Sequence, residues 1–395
     1  MEKDPIVICS ATRTPIGAFQ GVFSPLSASD LGAVTVKETV NRAKIDPSAI
    51  DECYMGCVLP AGQGQAPARQ AAIKGGVPES VPCTTLNKMC GSGMKAVMMA
   101  YDSIAAGTNN IVLAGGIESM TNAPYILEKA RQGYRMGHGS IKDHMFHDGL
   151  EDAYDKGKLM GYFADQIASQ ESISREEQDA FALQSLERAV AATQNGYFTE
   201  EIAPVEIKTR KETIRVIDDE TPTKVKAEKI PQLKPAFTED GSVTAANASS
   251  ISDGASSIIL ARKSIAETLG MPILAIIHGH SSFARKPSEF CLAPIGAMEK
   301  LKEKVGWGYD DVDLFEINEA FAMVTLAAIK QLNIPEGKVN IHGGACALGH
   351  PVGATGARII TTLIYALKRL GKKKGVASLC IGGGEATAMA LEIVE

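Results

Sequence analysis

A cysteine flanked by glycines is the first residue of this sequence that could act as a nucleophile. Cys90 lies in the segment NKMCGSG (residues 87–93), directly before a stretch with the apolar spacing of a helix. The amino end of a helix carries partial positive charge and unpaired backbone N–H groups, and both lower the pKa of a nearby thiol. We therefore expect Cys90 to be a reactive thiolate. The alternative is a small buried thiol beside glycines that serve only helix packing.

Two glycine-rich segments further along the chain contain partners that a nucleophilic cysteine would need. His350 lies in GGACALGHPVGATG (residues 343–356), ahead of another helix, and histidine is the natural base for a cysteine. Cys380 lies at a strand end in LCIGGG (residues 379–384), where consecutive glycines let backbone N–H groups approach a ligand, as an oxyanion hole requires. The alternatives are a capped loop histidine and a core cysteine.

A fourth segment, EINEAFA (residues 316–322), lies where a strand gives way to a helix. Asn318 in this segment is a residue type that commonly caps helices, because its side chain accepts a hydrogen bond from a free backbone N–H group. It could equally hold a water molecule or a carbonyl group in a pocket. The residues alone leave both interpretations open.

Short β-branched runs recur between segments of helical spacing, and this alternation predicts the elements that position the four segments. It is typical of an α/β fold with largely buried sheets. Helical faces are predicted within residues 94–106 and 320–332. The predicted strands are residues 6–9, 111–114, 257–260, 273–277, 314–317, 376–381 and 388–394.

The segments around Cys90 and His350 also repeat one another weakly. In each, glycines open a helix that is followed by a strand and further glycines, at residues 115–116 in one copy and 382–384 in the other. A separation of about 260 residues is not a solenoid period. It indicates two similar α/β halves, each with a glycine turn. Residues 120–245 match neither half, so we interpret them as a long functional insertion in the first.

The composition of the chain excludes several classes of protein. Its 395 residues, 45% hydrophobic and 22% charged, are typical of a soluble globular protein with two or three packed units. A net charge of -6 argues against nucleic-acid binding, and no apolar run approaches the roughly 18 residues of a membrane span. With eight scattered cysteines and no export signal, we expect reduced thiols in the cytoplasm. Cys53 and Cys57 lack a second pair at zinc-site spacing, so we expect no metal.

Taken together, the four segments resemble the thiolases, a family of acetyl-CoA acetyltransferases and 3-ketoacyl-CoA thiolases. The motifs NKMCGSG, NEAFA, GHPVGATG and CIGGG occur in that family's order and spacing, and the similarity runs from ATRTP to the last strand. The resemblance implies an α/β fold of duplicated βαβαβαββ halves that form a five-layered α/β/α/β/α core with an inserted loop domain. The implied boundaries are residues 1–119 plus 246–271 for the N-terminal half, 120–245 for the loop domain and 272–395 for the C-terminal half.

Carried over residue by residue, the resemblance assigns roles to the reactive side chains. Cys90 is implied to accept the acyl group, His350 to activate it as a base, and Cys380 to shuttle a proton at the substrate α-carbon. Asn318 is implied to hold a water that, with His350, forms one oxyanion hole. The N–H groups of Cys90 and Gly382 are implied to form the other.

The resemblance also implies contacts with coenzyme A. A serine matches the family's binding segment, small alanines would leave room for the pantetheine arm, and phenylalanines would pack along it. Acyl-CoA molecules are the implied substrates, with no permanently bound cofactor, and the loop domain is implied to contact other subunits in a homodimer or homotetramer. The implied contact residues are Ser249, Phe237, Ala245, Ala248, Met160 and Phe321.

The implied reaction moves an acetyl group between coenzyme A and an acyl-CoA through an acyl-cysteine. Two acetyl-CoA molecules would give acetoacetyl-CoA and coenzyme A, or longer 3-ketoacyl-CoA would be cleaved in fatty-acid degradation. The alternatives are a related 3-ketoacyl synthase and an inactive thiolase-like lipid carrier. Asn318 together with Cys380 argues against the synthase, and the presence of all four reactive residues argues against the carrier.

Three positions depart from the family pattern. Leu159 stands where many thiolases have a histidine in the loop over the acyl pocket, which predicts a more apolar pocket and argues against strict acetoacetyl specificity. Pro222 falls near an arginine that the family places by the adenine, with Lys224 and Lys226 nearby as substitutes. Glu385 follows the glycine turn where the family more often has an uncharged residue.

Overall fold

A computed structural model describes residues 4–394 of the chain. Residues 1–3 and 395, which the sequence-based boundaries include, lie outside the described residues. The strands are β1 Ile6–Arg13, β2 Gly17–Ala18, β3 Glu52–Gly56, β4 Cys83–Leu86, β5 Ile111–Ser119, β6 Tyr125–Ile126, β7 Lys142–Asp143, β8 Val205–Lys208, β9 Thr213–Val216, β10 Ser252–Arg262, β11 Ala275–Ala284, β12 Leu314–Ile317, β13 Lys374–Ile381 and β14 Glu385–Ile393. The helices are α1 Ala28–Ala43, α2 Pro67–Lys74, α3 Ser92–Ala105, α4 Met160–Gln170, α5 Arg175–Gln194, α6 Lys263–Thr268, α7 Ala293–Val305, α8 Ala322–Leu332, α9 Ala345–Leu348 and α10 Val352–Leu370.

The first half of the chain forms a mixed sheet in the order β4-β3-β5-β10-β1. Strands β3, β4 and β5 run parallel, and α2 and α3 connect them, as parallel strands require. Strand β10 then pairs antiparallel with both β5 and β1. With α1 between β1 and β3, the chain order of this half is βαβαβαββ, interrupted only by the segment between β5 and β10.

The second half repeats this arrangement in the order β12-β13-β14-β11. Strands β12 and β13 run parallel, and β14 pairs antiparallel with β13 and β11. A parallel bridge between Phe315 and Val339 takes the place that β4 has in the first half. The two halves meet where β1 and β11 pair antiparallel. The duplication predicted from the sequence is therefore confirmed.

Helices α3 and α10 form the central layer of the molecule. α10 contacts strands of both halves and packs along α3, while α1 and α2 cover the outside of the first half and α7 and α8 that of the second. A central hydrophobic cluster joins Val97 and Leu363 of these helices to Val112 and Leu379 of the two sheets. Separate clusters lie beneath the outer helices. These contacts confirm the five-layered core.

The length and polarity of α10 follow from its central position. Every residue from Val352 to Leu367 is buried because the helix has protein on all sides. One side of the helix is apolar, whereas Thr355, Arg358 and Thr362 form a polar side that is buried as well. Its exposed end carries basic residues and terminates at Gly371, whose φ of 61° allows the left-handed cap.

Glycines allow the central helices to cross at van der Waals contact. A Cβ on Gly93 would lie 2.8 Å from the backbone nitrogen of Ala357, and one on Gly356 would lie 2.2 Å from that of Met94. The prediction of a glycine turn at residues 115–116 is wrong, because β5 continues to Ser119. A Cβ on either of these glycines would lie within 2.1 Å of a backbone oxygen of β10 or α10, so they serve close packing instead.

The segment between β5 and β10 leaves and re-enters the core at adjacent positions. Ser119, the last residue of β5, is the register partner of Asp253 on β10. The Asp253 carboxylate accepts hydrogen bonds from the backbone N–H and the hydroxyl of Thr121, which closes the base of the excursion. Within it lie α4, α5 and two small hairpins, β6–β7 and β8–β9. None of the helices within residues 4–394 has the length and apolar character of a membrane span.

The helix crossing predicts the effect of Gly356→Ala. The new methyl group would meet the backbone of α3, which cannot move away without disturbing both sheets. Overpacking of this kind costs about 1–3 kcal/mol, so we expect the thermal unfolding midpoint to fall by several degrees in differential scanning calorimetry. Gly337→Ala is the matched control, because a Cβ there meets no atom within 4 Å. Equal midpoints for the two variants would contradict the close crossing.

Candidate active site

The turn between β4 and α3 presents Cys90. Met89, directly before it, has the left-handed φ of 46°, which is unfavourable for a side chain of this size. Its neighbours hold it there: the Asn87 carboxamide oxygen accepts the Met89 N–H at 2.8 Å, and the Ser92 hydroxyl donates to the Met89 carbonyl at 2.6 Å. The Ser92 hydroxyl also accepts the backbone N–H of Lys88 at 2.8 Å. Cys90 is thus fixed on a rigid turn.

This turn packs directly against the end of β13. A Cβ on Gly91 would lie 2.4 Å from the Ile381 side chain, so the glycine is what allows Cys90 to approach Gly382. Lys88 forms a salt bridge with Glu385, on the other side of the glycine turn. The departure from the family pattern at Glu385 therefore has a structural role, because it ties the turn of Cys90 to the turn of Gly382.

The Cys90 thiol is protonated in the free protein. Burial raises its pKa to about 11, although the backbone N–H groups of Gly382 and of Cys90 itself donate to the sulfur and oppose this effect. The prediction of a helix-stabilised thiolate is wrong because α3 begins two residues later, at Ser92, and loss of solvent outweighs the two donors. Those donors are the groups that the resemblance implies for one oxyanion hole.

His350 is held as a neutral base. Its Nδ1 lies 2.7 Å from the Thr355 hydroxyl, which donates its own proton to the Pro351 carbonyl at 3.0 Å. The hydroxyl can therefore only accept from the ring, which places the imidazole proton on Nδ1 and a lone pair on Nε2. Nε2 is buried and has no hydrogen-bond partner within residues 4–394. Burial, and secondarily the charge of Arg358, lowers the pKa of His350 to about 3.

Cys380 lies at the end of β13, fully buried from bulk solvent. Burial raises its pKa well above the ordinary value, and the neighbouring thiols of Cys291 and Cys90 raise it further. Beyond it, Gly383 and Gly384 have φ values of 94° and 89°, which explains the glycine requirement of this turn. The two cysteines predicted to react are thus close to one another.

Asn318 does not cap a helix. α8 begins at Ala322 with Phe321 as its flanking residue, three positions after the asparagine. The Asn318 side chain is buried, and neither its amide nitrogen nor its oxygen has a hydrogen-bond partner within the described chain. An unpaired buried amide is unusual and suits a group that binds a small polar ligand. Asn318 does not line the cavity described next.

One cavity of about 390 Å³ brings the sequence-predicted residues together. Its size suits a small-molecule site, and its walls are mostly apolar with few polar groups. The residues from the sequence prediction that line it are Cys90, His350, Cys380, Gly382, Ser249, Phe237, Ala245, Ala248, Met160 and Phe321, together with Leu159. Side chains from both halves and from the inserted segment therefore converge here.

Sequence reasoning missed several residues of this site. Phe146, Leu150, Ile251 and Phe290 complete the apolar walls, and as isolated hydrophobic residues they gave no signal. Glu118 was also missed, although an acidic residue inside the buried strand β5 is a recognisable anomaly. No group of three or more potential metal ligands occurs in the described part of the chain.

A second groove, of about 470 Å³, adjoins the cavity. The two share Ala245 and Ser250, and the groove is lined by Lys224, Lys226 and Lys229. Lys224 is paired with Glu220 at 2.5 Å. The apolar cavity is thus continuous with a surface whose cations could contact phosphate groups.

The protonation state of Cys90 predicts its reactivity in the free protein. Because only the thiolate is alkylated, we expect its reaction with iodoacetamide to accelerate about tenfold per pH unit from about pH 6 to 9, without a plateau. Cys83 is an internal control, since hydrogen bonding to Cys53 and the charge of Arg69 lower its pKa. Peptide mass spectrometry separates the two sites. A plateau for Cys90 near neutral pH would contradict the assignment.

Comparison with known proteins agrees with this geometry. Residues 6–264 match the family Thiolase, N-terminal domain, and residues 271–393 match Thiolase, C-terminal domain. A "Probable acetyl-CoA acyltransferase" of Staphylococcus aureus (strain COL) is 48% identical over 385 residues, covering 97% of this chain and 98% of the relative. The crystal structure of the Bacillus anthracis acetyl-CoA acetyltransferase matches with a TM-score of 0.96 and 40% identity, covering 99% of each chain. The chain belongs to the thiolase family of acyltransferase enzymes.

Proposed function

We propose that the chain transfers an acetyl group between coenzyme A and an acyl-CoA through an acetyl-Cys90 intermediate. The reaction would join two acetyl-CoA molecules into acetoacetyl-CoA and coenzyme A, or run in reverse. The observation that carries this proposal is the convergence of Cys90, His350 and Cys380 on one cavity that also receives Gly382. Dividing the condensation into two steps through a covalent intermediate avoids one difficult step and implies ping-pong kinetics.

In the first half-reaction, Cys90 would attack the thioester carbonyl of acetyl-CoA. The thiol proton would pass to Nε2 of His350, whose lone pair is free because Nδ1 carries the ring proton. The N–H groups of Cys90 and Gly382 would bind the developing oxyanion, and one such donor contributes about 2.7–4 kcal/mol. Coenzyme A would leave as a thiol once its sulfur takes the proton from Nε2 of His350, and one thioester would have replaced another, so this step is nearly balanced in energy.

In the second half-reaction, Cys380 would first pass its thiol proton to Nε2 of His350, and the resulting thiolate would remove a proton from the methyl carbon of a second acetyl-CoA. The enolate oxygen would be met by the Nε2–H group of His350 and by a water held on Asn318, a role that suits an amide whose polar atoms have no protein partner. The carbanion would attack acetyl-Cys90 and release its sulfur, which would take back the proton held on Nε2. A thiol with a strongly raised pKa also suits the return of a proton to carbon in the cleavage direction.

Coenzyme A would lie across the cavity and the adjoining groove. Phe237 and Phe321, whose ring centroids are 6.1 Å apart, form an apolar wall for the pantetheine arm beside Ser249 and the alanines. Lys226 and Lys229 line the groove where the phosphates would lie. In the place of the family's arginine, charge from these lysines would attract the nucleotide. Coenzyme A is then a substrate and not a bound cofactor.

The alternative activity is cleavage of longer 3-ketoacyl-CoA in fatty-acid degradation. Leu159 and Leu150 face the cavity together with Phe290, so its walls offer apolar contact to a longer acyl chain. An inactive lipid carrier would have no need for a base held in one tautomer beside a thiol with two aimed N–H donors. Both observations favour an active enzyme of lipid metabolism with a permissive acyl site.

The cellular setting and assembly belong to the same proposal. The described residues contain all eight cysteines as free thiols, which suits the reducing cytoplasm. Large apolar side chains in the inserted segment are exposed, among them Tyr125, Met136, Ile141 and Tyr154. Several exposed large apolar side chains in one segment are typical of a contact surface, and they support a homodimer or homotetramer that uses residues near 120–145.

Acetyl-CoA alone is expected to leave an acetyl group on Cys90, because the first half-reaction needs no second substrate. Intact-protein and peptide mass spectrometry would detect it. Cys380→Ser is the informative variant: we expect normal acetylation of Cys90 but at least about a 100-fold loss of condensation, since the α-proton transfer is removed. An unlabelled Cys90 in folded protein would refute the acyl-enzyme. Equal loss of both half-reactions would refute the role of Cys380.

Chain-length preference is expected to be broad in the thiolysis direction. Each additional buried methylene contributes roughly 0.8 kcal/mol, so kcat/KM for six- and eight-carbon 3-ketoacyl-CoA should equal or exceed that for acetoacetyl-CoA. We expect Leu159→His to shift the profile toward four carbons, because an imidazole would make this wall polar. Coupled assays across the substrate series measure both. A sharp four-carbon preference in the unmodified enzyme would overturn the assignment.

A further inference from the structure

A buried carboxylate lies beneath the active site without any cation to neutralise it. Glu118, near the end of β5, is 0% exposed and forms no ion pair with the described residues. Its Oε2 accepts the backbone N–H groups of Val58 at 2.9 Å and Gly353 at 2.8 Å. Its Oε1 accepts the N–H of Leu59 at 3.1 Å and lies 3.7 Å from the Cys57 sulfur. Burial raises the pKa of Glu118 to about 7, although the backbone N–H groups of Val58, Leu59 and Gly353 oppose this effect.

The hydrogen bond from the Val58 N–H group connects Glu118 to the turn that carries Cys90. The Val58 carbonyl accepts the side-chain N–H of Asn87 at 3.3 Å, and the oxygen of the same side chain accepts the N–H of Met89 at 2.8 Å. Met89 is the residue with left-handed backbone directly before Cys90. Val58 also belongs to the hydrophobic cluster against which Met89 and Cys90 pack. The position of the sulfur thus depends on the loop that Glu118 holds.

The hydrogen bond from the Gly353 N–H group connects the same carboxyl oxygen to the helix start beside His350. Gly353 lies in the first turn of α10, and Thr355 of that turn accepts the Nδ1 proton of His350. A Cβ on Gly353 would lie 2.6 Å from Oε2 of Glu118, so only glycine allows this approach. The start of α10 also offers a free N–H and the positive end of the helix dipole, which favour a carboxylate there.

We propose that Glu118 is a positioning residue for the reaction, whose Oε2 fixes the turn of Cys90 and the helix start of His350 at one separation. This inference rests on the proposed function of Cys90 and His350. A carboxyl side chain suits this position because four donors converge on its two oxygens. The amide group of a glutamine would direct its NH₂ at a backbone N–H and lose at least one of the bonds.

Glu118→Gln tests this role, because it preserves the size of the side chain. We expect the single-turnover rate of Cys90 acetylation, and kcat, to fall about 10–100-fold through misplacement of thiol and imidazole. The KM for acetyl-CoA should stay within about twofold, because the coenzyme A contacts lie on other elements. Mass spectrometry of Cys90 after rapid quenching gives the first value, and steady-state kinetics gives the others.

Asp51→Asn provides the matched control at the opposite end of β5. The exposed Asp51 carboxylate accepts the N–H groups of Asn110 at 2.7 Å and Ile111 at 2.9 Å, so its replacement removes an acceptor charge from the start of the same strand without reaching the cavity. We expect its acetylation rate per folded molecule to equal that of the unmodified enzyme. A similar loss of acetylation rate in both variants would mean that Glu118 contributes only to the stability of the fold, and it would overturn the proposal.

Two further results for Glu118→Gln would contradict its role as a positioning residue. An unchanged acetylation rate in folded Glu118→Gln, or a loss that appears only in KM, would overturn it. If that variant does not fold, Glu118→Asp keeps the carboxyl group but withdraws it by one methylene from Val58 and Gly353, and the same loss of rate at unchanged KM is expected. Failure of the proposed function is distinguishable, because the unmodified enzyme would then leave Cys90 unacetylated.

Discussion

The contact between α3 and α10 is the constraint on which the rest of the structure depends. Each helix starts just after one of the reacting groups, Cys90 before α3 and His350 before α10. Because Gly93 and Gly356 let the backbones touch, the two helix starts lie side by side in the central layer. The thiol and the imidazole meet although they are far apart in sequence. A larger side chain at either glycine would separate them.

Burial at this crossing sets the chemistry as well as the geometry. With the pKa of Cys90 raised to about 11 and that of His350 lowered to about 3, thiol and imidazole are both uncharged at neutral pH. In the proposed reaction, the proton would move from sulfur to nitrogen as the substrate carbonyl accepts the sulfur. The backbone N–H groups already aimed at the sulfur would then meet the charge that forms on oxygen, with little reorganisation.

Sequence reasoning found what local pattern encodes and missed what only the folded chain creates. Residues 314–317 were predicted as a strand and form β12, and the helix predicted within 94–106 is α3. Strands β3 and β4 were missed because they are only five and four residues long, and β3 contains no β-branched residue. The motifs gave the residues of the cavity. They could not give the pKa of Cys90, which depends on solvent exclusion by distant segments, nor the hydrogen bonds that converge on Glu118.

Because the inserted segment leaves and re-enters the sheet at adjacent positions, its cavity walls are structurally independent of the core that holds the thiols and the imidazole. Since Ser119 and Asp253 are register partners, the sheet is complete whatever lies between them, and the closure entropy of a longer excursion grows only slowly with its length. The excursion supplies walls of the cavity, including Leu150, Leu159 and Phe237, whereas the thiols and the imidazole belong to the core. A change in the length or side chains of this segment would therefore reshape the cavity while the thiols and the imidazole keep their positions.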